Sequence, residues 1–95
     1  MQKTFDFIAD AGHGWAKVPR ALLRDLGIEA QISHYSYQRG DWVYLEEDCD
    51  LSRFHIEYRT KYGIEPRYRE RNTSSRKQYS WVRNYPQYQP QQTEQ

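Results

Sequence analysis

Residues 3–9 alternate, with Phe5, Phe7 and Ala9 on one side and Thr4, Asp6 and Ile8 on the other. This is the period-two pattern of a half-buried strand. Asp10-Ala11-Gly12-His13-Gly14 has the composition of a turn, and the short extended stretch from Trp15 to Val18 stops at a proline. The two runs are therefore expected to pair as a hairpin. Pro19 suits the first position of a helix, where its missing N–H would be unpaired anyway, and Gly27 suits the position after the last turn. A helix over 19–26 follows, with Val18, Leu22, Leu23 and Leu26 as its apolar stripe. A stripe this short is unstable alone and has to pack on a sheet.

Residues 33–38 and 42–46 are aromatic alternating runs on either side of Arg39-Gly40-Asp41, which predicts a second hairpin with Val43 and Leu45 facing the core. Leu51, Phe54, Tyr58 and Tyr62 recur at helical spacing up to Gly63, so a second helix is expected over 50–62. Pro66 and the Arg/Tyr alternation after it suit a further edge strand. The predicted fold is α+β: two hairpins form a small antiparallel sheet with two helices on one face, in the order ββαββα. After Ile64 the one remaining aliphatic residue is Val82. The chain is thus read as a compact domain over 1–71 and a flexible, basic, aromatic C-terminal arm over 72–95 that ends in Gln and Pro.

The 95 residues are 37% apolar and 16% aromatic, with a mean hydropathy of −1.14. One thin core is all that such a chain builds, and aromatic side chains must supply much of it. Nine Tyr and three Trp offer large contact area with polar tips, a mix enriched at interfaces. No apolar run is long enough to span a bilayer, and the first residues lack a signal-peptide pattern, so a cytoplasmic location without membrane partners is expected. The lone Cys49 forms neither an internal disulfide nor a cysteine-based zinc site. The formal charge of +1 hides a split. Residues 1–63 carry eight Lys and Arg against ten Asp and Glu, whereas residues 64–95 carry six against three.

The acidic run Glu46, Glu47, Asp48 and Asp50 lacks the alternation and central glycine of a calcium loop. It reads as helix capping or as a negative docking edge. Carboxylates around Cys49 hold its thiol protonated, and the histidines at 13, 34 and 55 have no metal-ligand spacing. No nucleotide-binding or nucleophile motif occurs, so no catalytic residue, metal or cofactor is assigned and the chain is expected not to be an enzyme. The basic segment interleaves cations with aromatic rings. Arg67, Tyr68, Arg69, Arg71, Arg76, Lys77, Tyr79, Trp81 and Arg83 together suit a grip on single-stranded nucleic acid, in which bases stack and phosphates pair with Arg. Tyr79, Trp81 and Arg83 equally have the chemistry of anchors in a protein interface.

The segments Ala9-Asp10-Ala11-Gly12-His13-Gly14-Trp15, Val18-Pro19-Arg20-Ala21-Leu22-Leu23 and Val43-Tyr44-Leu45-Glu46-Glu47-Asp48-Cys49-Asp50 resemble a group of small proteins carried by bacteriophages and plasmids. That resemblance spans about residues 3–70 and carries over no site. It implies a protein that docks on and blocks a host protein or nucleoprotein complex, including an anti-CRISPR-like inhibitor. The expected docking residues are Glu46, Glu47, Asp48 and Asp50 with Tyr79, Trp81 and Arg83. Direct binding of single-stranded nucleic acid is the alternative, and a homodimer would complete a thin core.

Overall fold

The computed structural model describes residues 3–10, 12–72 and 81–90. Five strands and two helices follow one another: β1 (Thr4–Ala9), β2 (Gly14–Pro19), α1 (Arg20–Asp25), β3 (Tyr37–Arg39), β4 (Trp42–Glu46), α2 (Leu51–Tyr62) and β5 (Arg67–Asn72). Short 3-10 turns occupy Glu29–Gln31 and Trp81–Asn84. The architecture is a small α+β fold built on one five-stranded sheet of order β3-β4-β2-β1-β5.

Both hairpins form, and they join through antiparallel pairing of β2 with β4. The sheet is nevertheless mixed, because β5 lies parallel to β1 with Thr4 opposite Arg67 and Ala9 opposite Asn72. The four hairpin strands pair antiparallel as expected, and the further edge strand after Pro66 is the one that makes the sheet mixed. Parallel strands need a long crossover, and α2 supplies it between β4 and β5, which run in the same direction. Gly63 ends α2 with a φ of +76°, a conformation that suits glycine at the close of a helix.

Alternation along the strands divides the apolar residues between two faces. On the helix face, Phe5, Val18, Val43 and Leu45 pack with Leu23, Ile28 and Ile32 and with Phe54 and Tyr58 of α2. Phe5 meets the Phe54 and Tyr58 rings edge-on at 5.4 and 5.9 Å. On the opposite face Ile8, Trp15, Tyr44 and Val82 form a second cluster, flanked by Tyr37 and Tyr85. Strand β1 therefore buries a residue on each face, Phe5 on one and Ile8 on the other, and is not half-buried as its alternation suggests.

Val82 in that cluster shows that the C-terminal arm, over residues 81–90, belongs to the fold. Backbone hydrogen bonds tie it along the β3 edge, from the Gln38 N–H to the Pro86 carbonyl at 2.9 Å and from the Tyr88 N–H to the Ser36 carbonyl at 2.7 Å. It then passes to the helix face, where Tyr88 is buried and donates its hydroxyl to the Glu29 carbonyl at 2.6 Å. A strand edge covered in this way is protected from pairing with other chains. The second face is called the arm face below.

Candidate functional site

The arm covers only part of its face. Beyond it, on the half of the sheet built by the start of β1, the end of β2, the start of β4 and β5, lies a shallow depression of about 240 Å³. Thr4, Asp6, Lys17, Pro19, Trp42 and Arg69 line it. Strand geometry explains the grouping. Asp6 is in register with Lys17 on one side and with Arg69 on the other, so the three share a row across the sheet. Arg67, Arg69 and Arg71 alternate along β5 and project from one side of it, all three exposed. Trp42 is 42% exposed, and the Lys17 ammonium sits 4.4 Å from the centre of its ring.

Asp6 is the one acid described on this half. Arg69 Nη2 and Arg71 Nε both reach its Oδ1, at 3.1 and 3.3 Å. Burial raises the pKa of this carboxyl, but the hydrogen bonds and charges of the two arginines outweigh it and hold the group below its ordinary value. Tyr68 leaves the row. As an even-numbered neighbour of the three arginines it points to the helix face, 6.4 Å from Phe5, and its hydroxyl meets His55 Nδ1 at 2.9 Å. Burial first, then the charge of Glu65, pushes its phenol far up.

At the opposite end of β2 a second opening, of about 270 Å³, lies between the β1–β2 turn and the turn that leads into α2. Trp15 forms part of its wall, together with His13, Tyr35, Tyr37, Asp48 and Arg83. Asp10 organises the approach. Its Oδ1 accepts the N–H groups of Gly12 and His13 at 2.9 Å, and Arg83 grips it at 2.8 and 3.2 Å. The guanidinium of Arg83 lies 5.1 Å from the Trp15 ring centre. Gly14 is required here because a Cβ would fall 2.3 Å from the Phe7 ring.

The acidic run splits between interior and surface. Glu46 and Asp50 are 5% and 2% exposed. Glu46 Oε1 accepts the N–H groups of Asp48 and Cys49 at 2.8 Å, and its Oε2 stands 2.9 Å from His13 Nδ1. Asp50 is held by Ser33 and Ser36. A negative docking edge is thereby reduced to Glu47 and Asp48, which are exposed. Cys49 is exposed too; desolvation, the Glu46 hydrogen bond and the charges of Asp50 and Asp48 all raise its thiol pKa, away from nucleophilic use.

Among the remaining expected anchors, Arg83 is turned inward onto Asp10 and Trp15 rather than outward to a partner. Trp81 begins the last 3-10 turn. Arg76, Lys77 and Tyr79 lie outside the described residues. Lys17, Trp42 and Asp6 were not legible as site residues, because their grouping depends on which strands are neighbours. The signal that did exist was the odd-numbered spacing of Arg67, Arg69 and Arg71, which places three cations on one side of any strand. Among the described residues no helix is long and apolar enough to cross a membrane. Comparison with family models, with curated proteins and with solved structures finds no match.

Proposed function

We propose that this chain is a non-catalytic binding protein that holds single-stranded nucleic acid on the open half of the arm face, as an accessory of a nucleoprotein assembly. The observation that carries the reading is the row of Arg67, Arg69 and Arg71 on one side of β5, next to Lys17 and the exposed ring of Trp42. Cations spaced along a strand follow a phosphate backbone, and an exposed indole gives a base a face to stack on. The Asp6 pairs do not block this use. Exposed ion pairs contribute about 0–1 kcal/mol, so a phosphate competes with Asp6 for either arginine.

Fluorescence anisotropy with a labelled oligothymidylate of about 20 nucleotides tests the reading. Three or four phosphate contacts give a log–log salt slope of about −2 to −3, at roughly −0.7 per contact for single strands. Trp42→Ala weakens binding about 5- to 100-fold, the range of one lost base stack. The Arg67→Ala/Arg69→Ala double variant flattens the slope. Absence of binding at low salt, or affinity unchanged in both variants, overturns it.

A second reading, docking on a host protein complex as a mobile-element inhibitor would, is favoured by Tyr35, which is 58% exposed at the opening beside Tyr37 and Asp48. A tyrosine-lined hollow is a common anchor point in protein interfaces. A complex that survives nuclease treatment in a bacterial lysate, and is lost on Tyr35→Ala and Glu47→Gln, supports this reading over the first; retention in both variants removes it.

A further inference from the structure

We propose that the opening beside Trp15 holds a divalent cation of the zinc class, bound by His13, Glu46 and Asp48. This site lies at the far end of β2 from the proposed nucleic-acid surface and does not depend on that reading. One imidazole nitrogen and one oxygen from each of two carboxylates lie within 4.8 Å of one another. His13 Nδ1 and Glu46 Oε2 are 2.9 Å apart. At the tetrahedral angle two ligands with bonds of about 2.0–2.2 Å stand about 3.3–3.6 Å apart, so an ion replaces the hydrogen bond of the first pair by opening it about half an ångström. Asp48 is exposed and completes the set by a side-chain movement.

Two of the three ligands, Glu46 and His13, are positioned by the fold before any ion arrives. Glu46 ends β4 as a buried carboxylate, and the N–H groups of Asp48 and Cys49 fix its Oε1, which leaves Oε2 directed at His13. His13 is set by the Asp10 carboxylate, which accepts its backbone N–H at 2.9 Å. Backing of this kind is what orients ligands in metal sites. Arg83, the cation in the same wall, is offset by its two bonds to Asp10. Trp15, which is 2% exposed, closes one wall of the opening.

The donor chemistry selects the class of ion. Calcium and magnesium prefer sets made entirely of oxygen, and magnesium keeps much of its water. Imidazole shifts the preference to zinc and its neighbours in the first transition row. Three protein ligands in an open hollow leave a coordination position for water or for an outside group.

Calorimetric titration of the full, untagged chain with zinc chloride is the test, with Mg²⁺ and Ca²⁺ as parallel arms and the visible spectrum of added Co²⁺ as a structural readout. One equivalent of Zn²⁺ binds, raises the thermal midpoint, and is preferred over Mg²⁺ and Ca²⁺. His13→Ala and Asp48→Asn each weaken binding about tenfold or more, in the range seen when metal sites lose supporting groups. Both side chains are exposed, so both variants keep the fold, and circular dichroism without metal verifies this. His55→Ala, a histidine on α2 away from the opening, leaves affinity unchanged. Absence of Zn²⁺ binding at millimolar concentration, preference for Mg²⁺ or Ca²⁺, or wild-type affinity in both His13→Ala and Asp48→Asn overturns the site.

Discussion

Asp50 begins α2, where an acid ordinarily caps the helix, yet its side chain makes no cap. It turns inward instead. Its Oδ1 accepts the Ser33 N–H at 3.0 Å, and its Oδ2 accepts the hydroxyls of Ser33 and Ser36 at 2.7 and 2.5 Å. Ser36 Oγ in turn accepts the Glu46 N–H at 2.9 Å. One carboxylate thus fastens the loop before β3 to the end of β4 and the start of α2. Removing it leaves buried donors unpaired, at about 1–3 kcal/mol each before relaxation. Asp50→Ala is therefore expected to lower stability by about 2–4 kcal/mol. Asp50→Asn keeps one acceptor oxygen and loses less. Urea unfolding measures both, and a loss under about 0.5 kcal/mol for Asp50→Ala, the usual range of surface changes, would show that the carboxylate does not hold this junction.

Among the elements, those written in local pattern were legible and those made by distant partners were not. The stripe Leu51, Phe54, Tyr58 and the stop at Gly63 marked α2, because helical spacing and a left-handed cap are properties of one segment. The first helix, at Arg20–Asp25, likewise follows from Pro19 before it. Which strand lies beside β1 is decided by the path of α2 across the sheet, and nothing in Arg67–Asn72 itself says that it runs parallel to Thr4–Ala9. The seating of residues 81–90 is hidden from local pattern for a related reason. The polar composition of the arm predicts solvation, but one aliphatic side chain and two aromatic ones suffice to seat it, and Val82 is fully buried among Ile8, Trp15 and Tyr44. The solitary aliphatic residue in a polar stretch was the available clue. Val82→Ala leaves a cavity beneath the 3-10 turn and is expected to cost about 1–3 kcal/mol. The same urea measurement decides this, accompanied by a red shift of Trp fluorescence as Trp15 gains water. Wild-type stability would mean that the arm contributes no core.

On the whole molecule, the arm divides one face of the sheet into three regions, with the basic open half at one end of β2, the acidic opening at the other, and the covered cluster between them. Integrity of this arrangement depends on two phenols that the arm keeps dry. Tyr44 lies beneath it, 5.3 Å from the Tyr85 ring, and burial first, then the charge of Tyr85, pushes its pKa up to about 12. Tyr88 anchors the other end of the arm beside Arg20 and Glu29, and burial, followed by the Glu29 charge, likewise raises it to about 12. Both shifts are upward from the ordinary value of about 10. Their contribution to stability is therefore complete below about pH 10 and is lost as the pH rises through about 12, since the unfolded chain gives up these protons first. Phenolate absorbance recorded against pH is expected to show a late phase toward pH 12. Tyr44→Phe and Tyr88→Phe each remove amplitude from that phase, and near-ultraviolet circular dichroism follows the arm leaving the sheet over the same interval. If neither variant changes the late phase, the two phenols are not shielded as described and the arm does not close over the face. If the phase shifts to lower pH in Val82→Ala, one docking equilibrium governs both ends of the arm, because a weaker seat at Val82 then lowers the protection of Tyr88 across the β3 edge.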